Sequence, residues 1–181
     1  MAGIAATGAS HLERRTEGMK RVQIMTDGSC IGNPGPGGWA CILRYGNEQR
    51  ELSGSEAHTT NNRMELTAAI NGLKALRETC EVELVTDSQY VKQGITQYMA
   101  RWKTNGWRTS DRRPVLNQDL WRELDELSSC HIIHWIWVVG HGDDDLQNRC
   151  DALALDAARR EASHSASTVA CSSSSFDRAR N

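Results

Sequence analysis

The stretch VQIMTDGSCIGNPGPGGWACILR, residues 22–44, decides how this chain folds. Val22, Ile24 and Thr26 alternate with Gln23, Met25 and Asp27, the two-residue period of a strand. Gly32-Asn33-Pro34-Gly35-Pro36-Gly37-Gly38 reads as a turn, and Trp39 to Arg44 restarts a strand. Outward from there, Glu48 to Ser53 can return as a third strand. Thr60-Asn61-Asn62 offers helix caps ahead of Met64 to Arg77, where Leu66, Ile70 and Leu73 share one face. Val82 to Thr86 predicts a short strand and Gln89 to Ala100 a helix. A further helix from Asn117 or Gln118 to Leu127 aligns Leu120, Leu124 and Leu127. His131 to Val139 predicts a last strand, and Gln147 to Arg160 a closing helix. Three strands followed by alternating helix and strand specify an α/β fold, a mixed sheet with helices packed on it.

The chain has 181 residues and a formal net charge of -2, which suits one ordinary domain and excludes a generally sticky polycation. No apolar run approaches the roughly 20 residues of a membrane-spanning helix. Six cysteines (Cys30, Cys41, Cys80, Cys130, Cys150, Cys171) form no CxxC pair, so no zinc knuckle is spelled. Without a signal-peptide pattern they are expected to be reduced thiols in a cytoplasmic protein. Residues 1–19 are small, polar and aperiodic, and are expected to be a disordered extension, with Met19 an alternative start. The folded domain is placed at 20–162, and residues 163–181 are expected to be a Ser-rich disordered tail.

Thr26-Asp27-Gly28-Ser29 and Thr86-Asp87-Ser88-Gln89 echo one another, each Asp being the last strand residue before a polar turn. If a helical crossover joins parallel neighbours, both carboxylates emerge at one sheet edge, on strands about 4.8 Å apart. In open sheets that carboxyl edge is where sites are built. Glu65 shares its helix face with Ala68, Ala69 and Gly72, a small-residue stripe that allows close approach to the sheet. Asp151 opens the last helix, where the chain returns from the final strand. One Asp at a strand end is more often a turn former than a ligand. Four converging acids repel one another and require a counter-ion. Oxygen donors without Cys or His select Mg²⁺ or Mn²⁺ over zinc, and two such ions suit in-line attack on a phosphodiester.

The segments TDGSCIGNPGPGGWA (Thr26 to Ala40), TTNNRMELTAAI (Thr59 to Ile70) and TDSQYVKQGI (Thr86 to Ile95) resemble bacterial ribonuclease H of type 1. WKTNGWR (Trp102 to Arg108) and VGHGDDDLQNRCDALA (Val139 to Ala154) continue the likeness in the same order. The resemblance implies a single domain built on a five-stranded mixed sheet flanked by helices, the ribonuclease H-like fold, and a monomer with no obligate protein partner. It implies cleavage of the RNA strand of RNA/DNA hybrids with two Mg²⁺ ions on Asp27, Glu65, Asp87 and Asp151. It places a mobile His141 beside the acids, assisting proton transfer or product release, a role that suits an imidazole. It also assigns Cys30, Asn33, Asn62 and Gln89 to riboses or bases of the hybrid. Backbone groups from Gly28 to Asn33 are expected to approach the hybrid closely because glycines leave room, and the resemblance implies that Thr60 and Asn61, at a helix start, hold the DNA strand.

Arg101, Lys103, Arg108, Arg112 and Arg113 face a single acid, Asp111, giving the segment a local charge of +4, with Trp102 and Trp107 interleaved. A protruding handle that grips phosphates while an indole packs against deoxyribose fits this pattern; a solvated basic loop with two core tryptophans is the plainer alternative. Trp121, Trp135 and Trp137 are expected in the core. Three departures from the relatives stand out. Asp143, Asp144 and Asp145 make the loop after His141 acidic, Asn148 comes one place late with Gln147 at the usual position, and Thr104, Asn105 and Leu116 replace positions often basic. Integrases, transposases and resolvases share such carboxylates, but no added DNA-binding domain is evident. A hybrid-binding module without catalysis is disfavoured by four intact acids.

Overall fold

The computed structural model describes residues 18–139 and 144–176, with side chains as far as residue 167. Its centre is β1 (Lys20–Cys30), whose alternation buries Val22, Ile24 and Thr26 on one face and Met25 and Asp27 on the other. β2 (Gly35–Tyr45) and β3 (Glu48–Thr59) follow as an antiparallel meander. The glycine-rich segment is therefore turn only as far as Pro34. From Gly35 it is strand, because Gly37 and Gly38 pair with Cys30 and Ser29.

Helix α1 (Asn61–Lys74) crosses over to β4 (Cys80–Thr86), which runs parallel to β1, and β5 (Ile132–Trp137) runs parallel to β4. The sheet order is β3-β2-β1-β4-β5, the five-stranded mixed sheet of the ribonuclease H fold. Between β4 and β5 lie α2 (Gln89–Gln93), a wide π turn (Gly94–Tyr98), α3 (Met99–Thr104) and α4 (Gln118–Ser128). The single helix expected from Gln89 is interrupted at Gly94, where the indole of Trp121 packs tightly against the backbone. A Cβ at Gly94 would stand 2.9 Å or less from three of its ring carbons. Such single-turn widenings are how a helix absorbs an intruding group.

Two apolar clusters sandwich the sheet. Ile24, Leu66, Leu73, Leu84, Trp121 and Leu124 fill the face under α1 and α4. Met25, Ala40, Ile42, Val85, Cys150 and Ala154 fill the face under α5 (Asp145–Phe176). Two glycines bring these helices down. A Cβ on Gly72 would lie 2.7 Å from Ile24 Cγ2, and one on Gly38 2.8 Å from the Ala157 methyl.

α5 is longer than the closing helix expected over Gln147 to Arg160. The helix passes Ala162 and continues through the serine-rich segment to Phe176. Extending an existing helix needs no new nucleus, and the hydroxyls of Ser163 and Ser167 turn back onto the carbonyls of Arg159 and Ser163 (3.0 and 2.9 Å). The expected N-terminal extension falls outside the described residues, apart from Gly18 and Met19.

Candidate active site

Thr26 of β1 pairs with Thr86 of β4, so Asp27 and Asp87 each stand one residue beyond the same rung. The two threonines hold that rung. Thr26 Oγ1 donates to the Val85 carbonyl (3.1 Å), and Thr86 Oγ1 accepts from the Ser88 N–H (3.1 Å). Ser88 Oγ in turn accepts from the Val91 N–H at 3.3 Å, capping α2 two residues after β4 ends at Thr86.

Glu65 arrives from α1. The helix lies so close over Gly28 that a Cβ there would sit 2.6 Å from the Met64 carbonyl carbon and 2.9 Å from Glu65 Cα. The sequence suggests Gly28 as a place where backbone approaches substrate; in the structure that backbone approaches the helix carrying the third acid. Asn61 Nδ2 donates to Glu65 Oε1 at 3.3 Å. The α1 start is joined to the glycine turn through Asn33 Oδ1, which accepts from the Asn61 N–H (3.3 Å), while Thr60 makes no side-chain cap.

Oxygens of Asp27, Glu65 and Asp87 lie within 4.8 Å of one another. Asp151, on α5, is near enough to hydrogen-bond Asp27. All four acids named from the sequence thus meet at one edge, three as a tight group and the fourth against its first member. Burial, and then the charges of Asp87 and Asp151, push the Asp27 carboxyl up to about 8. Burial followed by Asp27 and Asp87 holds Glu65 well above the usual range, with Asn61 and the Gly28 N–H opposing. Asp27 Oδ2 and Glu65 Oε2 are buried with no hydrogen-bond partner. Buried carboxylate oxygens that repel each other and lack donors are suited to a hard divalent cation. The donor set fits Mg²⁺.

The remaining named residues are distributed more widely. Cys30 turns its thiol onto the carbonyls of Gly35 and Thr59 (3.5 and 3.6 Å). Asn62 is half-buried in the first turn of α1, and Gln89 is exposed at the start of α2. Trp102 and Trp107 are half-buried and pack on the core cluster. Trp102 stacks on Tyr98 (5.6 Å between centroids) and leans on Trp121 (5.5 Å). Lys103 is bonded to Asp125 at 2.8 Å. Arg108 donates to the Arg112 carbonyl (2.8 Å), and the side chains of Arg112 and Arg113 are exposed. His141 and Asp143 lie outside the described residues. Asp144 has a local role, since its Oδ1 accepts from the N–H groups of Leu146 and Gln147 (2.9 and 3.3 Å). Asp145 follows in the first turn of α5, where negative charge is favoured. Part of the acidic run is thus explained by helix capping.

One residue needs reassignment. Trp135 packs on the core as expected, but Trp137 belongs to neither cluster; its indole N–H donates to the Asp87 carbonyl at 3.0 Å. Aromatic content on a strand signals burial, and nothing in the sequence separates the two tryptophans.

A mixed five-stranded sheet with buried acids at the carboxyl edge of its two central strands defines a metal-dependent nuclease class. The RNase H family profile matches residues 19–159. The chain is 57% identical over 143 residues to a Ribonuclease H of Solibacter usitatus, covering 79% of this chain and 98% of that one. It is 57% identical over 139 residues to one of Hydrogenovibrio crunogenus, covering 77% and 96%. Among solved structures, LC9-RNase H1, a type 1 RNase H with the type 2 active-site motif, superimposes with a TM-score of 0.72 at 30% identity, over 79% of this chain and 74% of that one. The chain belongs to the ribonuclease H family, endoribonucleases acting on the RNA strand of RNA/DNA hybrids.

Proposed function

We propose that hydrolysis proceeds by a two-metal-ion mechanism on Asp27, Glu65, Asp87 and Asp151, leaving 5′-phosphate and 3′-hydroxyl ends. The observation that carries this reading is the group of three carboxylates whose oxygens lie within 4.8 Å of one another, two of them buried with an oxygen that lacks a donor. Bound there, a pair of Mg²⁺ ions, or Mn²⁺ as substitute, supplies the Lewis acidity and charge neutralisation of in-line phosphodiester hydrolysis. The protein's part is to hold the four acids. Gly28 seats α1, the Thr26–Thr86 rung aligns the two Asp residues, and Asn61 orients Glu65.

His141 is the group that moves a proton or helps product depart. Gly28, Cys30, Asn33, Asn62 and Gln89 meet the hybrid's minor groove, where 2′-hydroxyls distinguish RNA from DNA. Thr60 and Asn61 receive a phosphate of the DNA strand at the α1 start, whose N-terminus favours anions. Trp102, Lys103, Trp107, Arg108, Arg112 and Arg113 form the gripping surface. Support for that surface comes from the exposed guanidiniums; the inward packing of both indoles gives them a structural duty as well. The enzyme works as a cytoplasmic monomer, and no helix among the described residues is long and apolar enough to cross a membrane.

The test is to incubate end-labelled RNA/DNA hybrid, duplex DNA and duplex RNA with the protein in Mg²⁺, Mn²⁺ or chelator. Cleavage of the hybrid's RNA strand alone, abolished by chelator and by Asp27→Asn, is the expected result. Products lacking a 5′-phosphate would overturn the assigned chemistry.

A further inference from the structure

Asp87 sits where two regular structures stop. The β1–β4 ladder ends on the Thr26–Thr86 rung, and the α2 cap begins at Ser88. Its peptide carbonyl is held by the indole of Trp137, whose Nε1–H donates to it at 3.0 Å. Trp137 is itself well placed for this. It pairs with Thr86 in the β4–β5 ladder, and the next residue, Val138, still donates its N–H to the Thr86 carbonyl at 3.1 Å. The ring is also clamped from its face, since the Lys92 ammonium of α2 stands 4.1 Å from a Trp137 ring centroid. Strand β5, the Asp87 carbonyl and α2 are thereby tied in one short circuit next to the acids.

We propose that Trp137 is a positioning residue for Asp87, and that Lys92 keeps its indole in place. The inference rests on the reading of Asp87 as a metal ligand. Val138 holds the Thr86 carbonyl and so fixes the peptide on the strand side of Asp87, and Trp137 holds the Asp87 carbonyl and so fixes the peptide on the helix side, next to the Ser88 cap. The carboxylate then leaves the chain in one direction. Groups that orient metal ligands from behind change metal affinity or activity by about 10–100-fold when lost. A bond to the ligand's backbone belongs at the lower end of that range.

Trp137→Phe keeps the ring on the strand and removes the N–H. Calorimetric titration of the full-length protein with Mg²⁺ is expected to show about tenfold weaker binding. The Mg²⁺ concentration for half-maximal cleavage rises in step, and KM for the hybrid stays unchanged. In an Asp87→Asn background the same substitution is expected to cost nothing further, because residues acting through one another are non-additive. Wild-type Mg²⁺ binding by Trp137→Phe, or an equal loss in both backgrounds, overturns the proposal. Lys92→Met, which keeps the aliphatic stem, decides the matter if Trp137→Phe fails to fold. Roughly twofold weaker binding is expected from the modest strength of an exposed cation–π contact, and no change overturns it. Wild-type Mg²⁺ binding by Asp87→Asn itself would instead sink the metal-site reading.

Discussion

At the first end of the β1–β4 pair, Lys20 faces Glu78, and Arg21 meets Glu81 at 2.7 Å with His134 on the same carboxylate at 3.3 Å. At the far end of the same two strands, Asp27 and Asp87 stand side by side with Glu65, all of one sign. The first end is half-solvated and its charges are matched, an arrangement worth little to stability. At the second, Asp27 and Glu65 are buried, each with one oxygen that no donor reaches. A folded chain retains such a cluster because something outside it completes the set. One ladder thus carries an ordinary surface at one end and a reaction centre at the other, and the difference lies in burial and charge sign.

The sharpest way to break this contrast is at the acids. Asp27→Asn or Asp87→Asn should lower hybrid cleavage by about 10³-fold or more. In chelator near neutral pH, Asp27→Asn should leave the melting temperature unchanged, because the buried carboxyl that it replaces is already largely uncharged there. Next comes Gly28→Ala. Its methyl would enter the backbone of α1, and overpacking of this kind costs about 1–3 kcal/mol. We expect a lower melting temperature together with weaker Mg²⁺ binding, since Glu65 rides on the displaced helix.

A third test uses pH. The folded Asp27 carboxyl ionises near 8 instead of its ordinary 3.8. Its contribution to stability is complete below the ordinary value and is lost as pH rises through about 8, where the fold must hold a charge that it disfavours. Glu65 acts in the same direction. Thermal unfolding in chelator should show this decline, and added Mg²⁺ should offset it most at the alkaline end. A melting temperature that rises over this range would contradict the charge assignment.

Arg112→Ala and Arg113→Ala act on affinity alone. Each should raise KM, leave kcat unchanged and reduce the slope of log affinity against log salt by about one. The smallest effect belongs to the matched end. Arg21→Ala should cost at most about 1 kcal/mol in thermal unfolding and leave cleavage unaffected.

The positions of the four acids could be read before any coordinates. The sequence reads Asp27 and Asp87 as strand ends; Asp27 in fact lies three residues inside β1 and Asp87 one residue past β4, yet both follow the same rung, and Glu65 lies on a stripe of small residues. What stayed hidden had ambiguous local signals. Gly28 looks like a turn residue, although its reason is a helix backbone arriving from 36 residues away. Trp137 looks like Trp135 until the end of β5 places its N–H on Asp87. Lys103 reads as a free phosphate contact, and only the packing of α3 near α4 gives it Asp125. The serine-rich segment has the composition of a tail, yet it continues a helix nucleated earlier.

Local pattern alone determined the order of strands and helices, which residues carry charge and which acids could act together, because periodicity and side-chain chemistry are written residue by residue. Tertiary structure decided how close those acids come, which of them are stripped of water and which neighbours brace them. Those quantities depend on the distance between chain segments, and that distance is set by whole-fold packing through contacts such as Gly28 under α1 and Gly38 under α5.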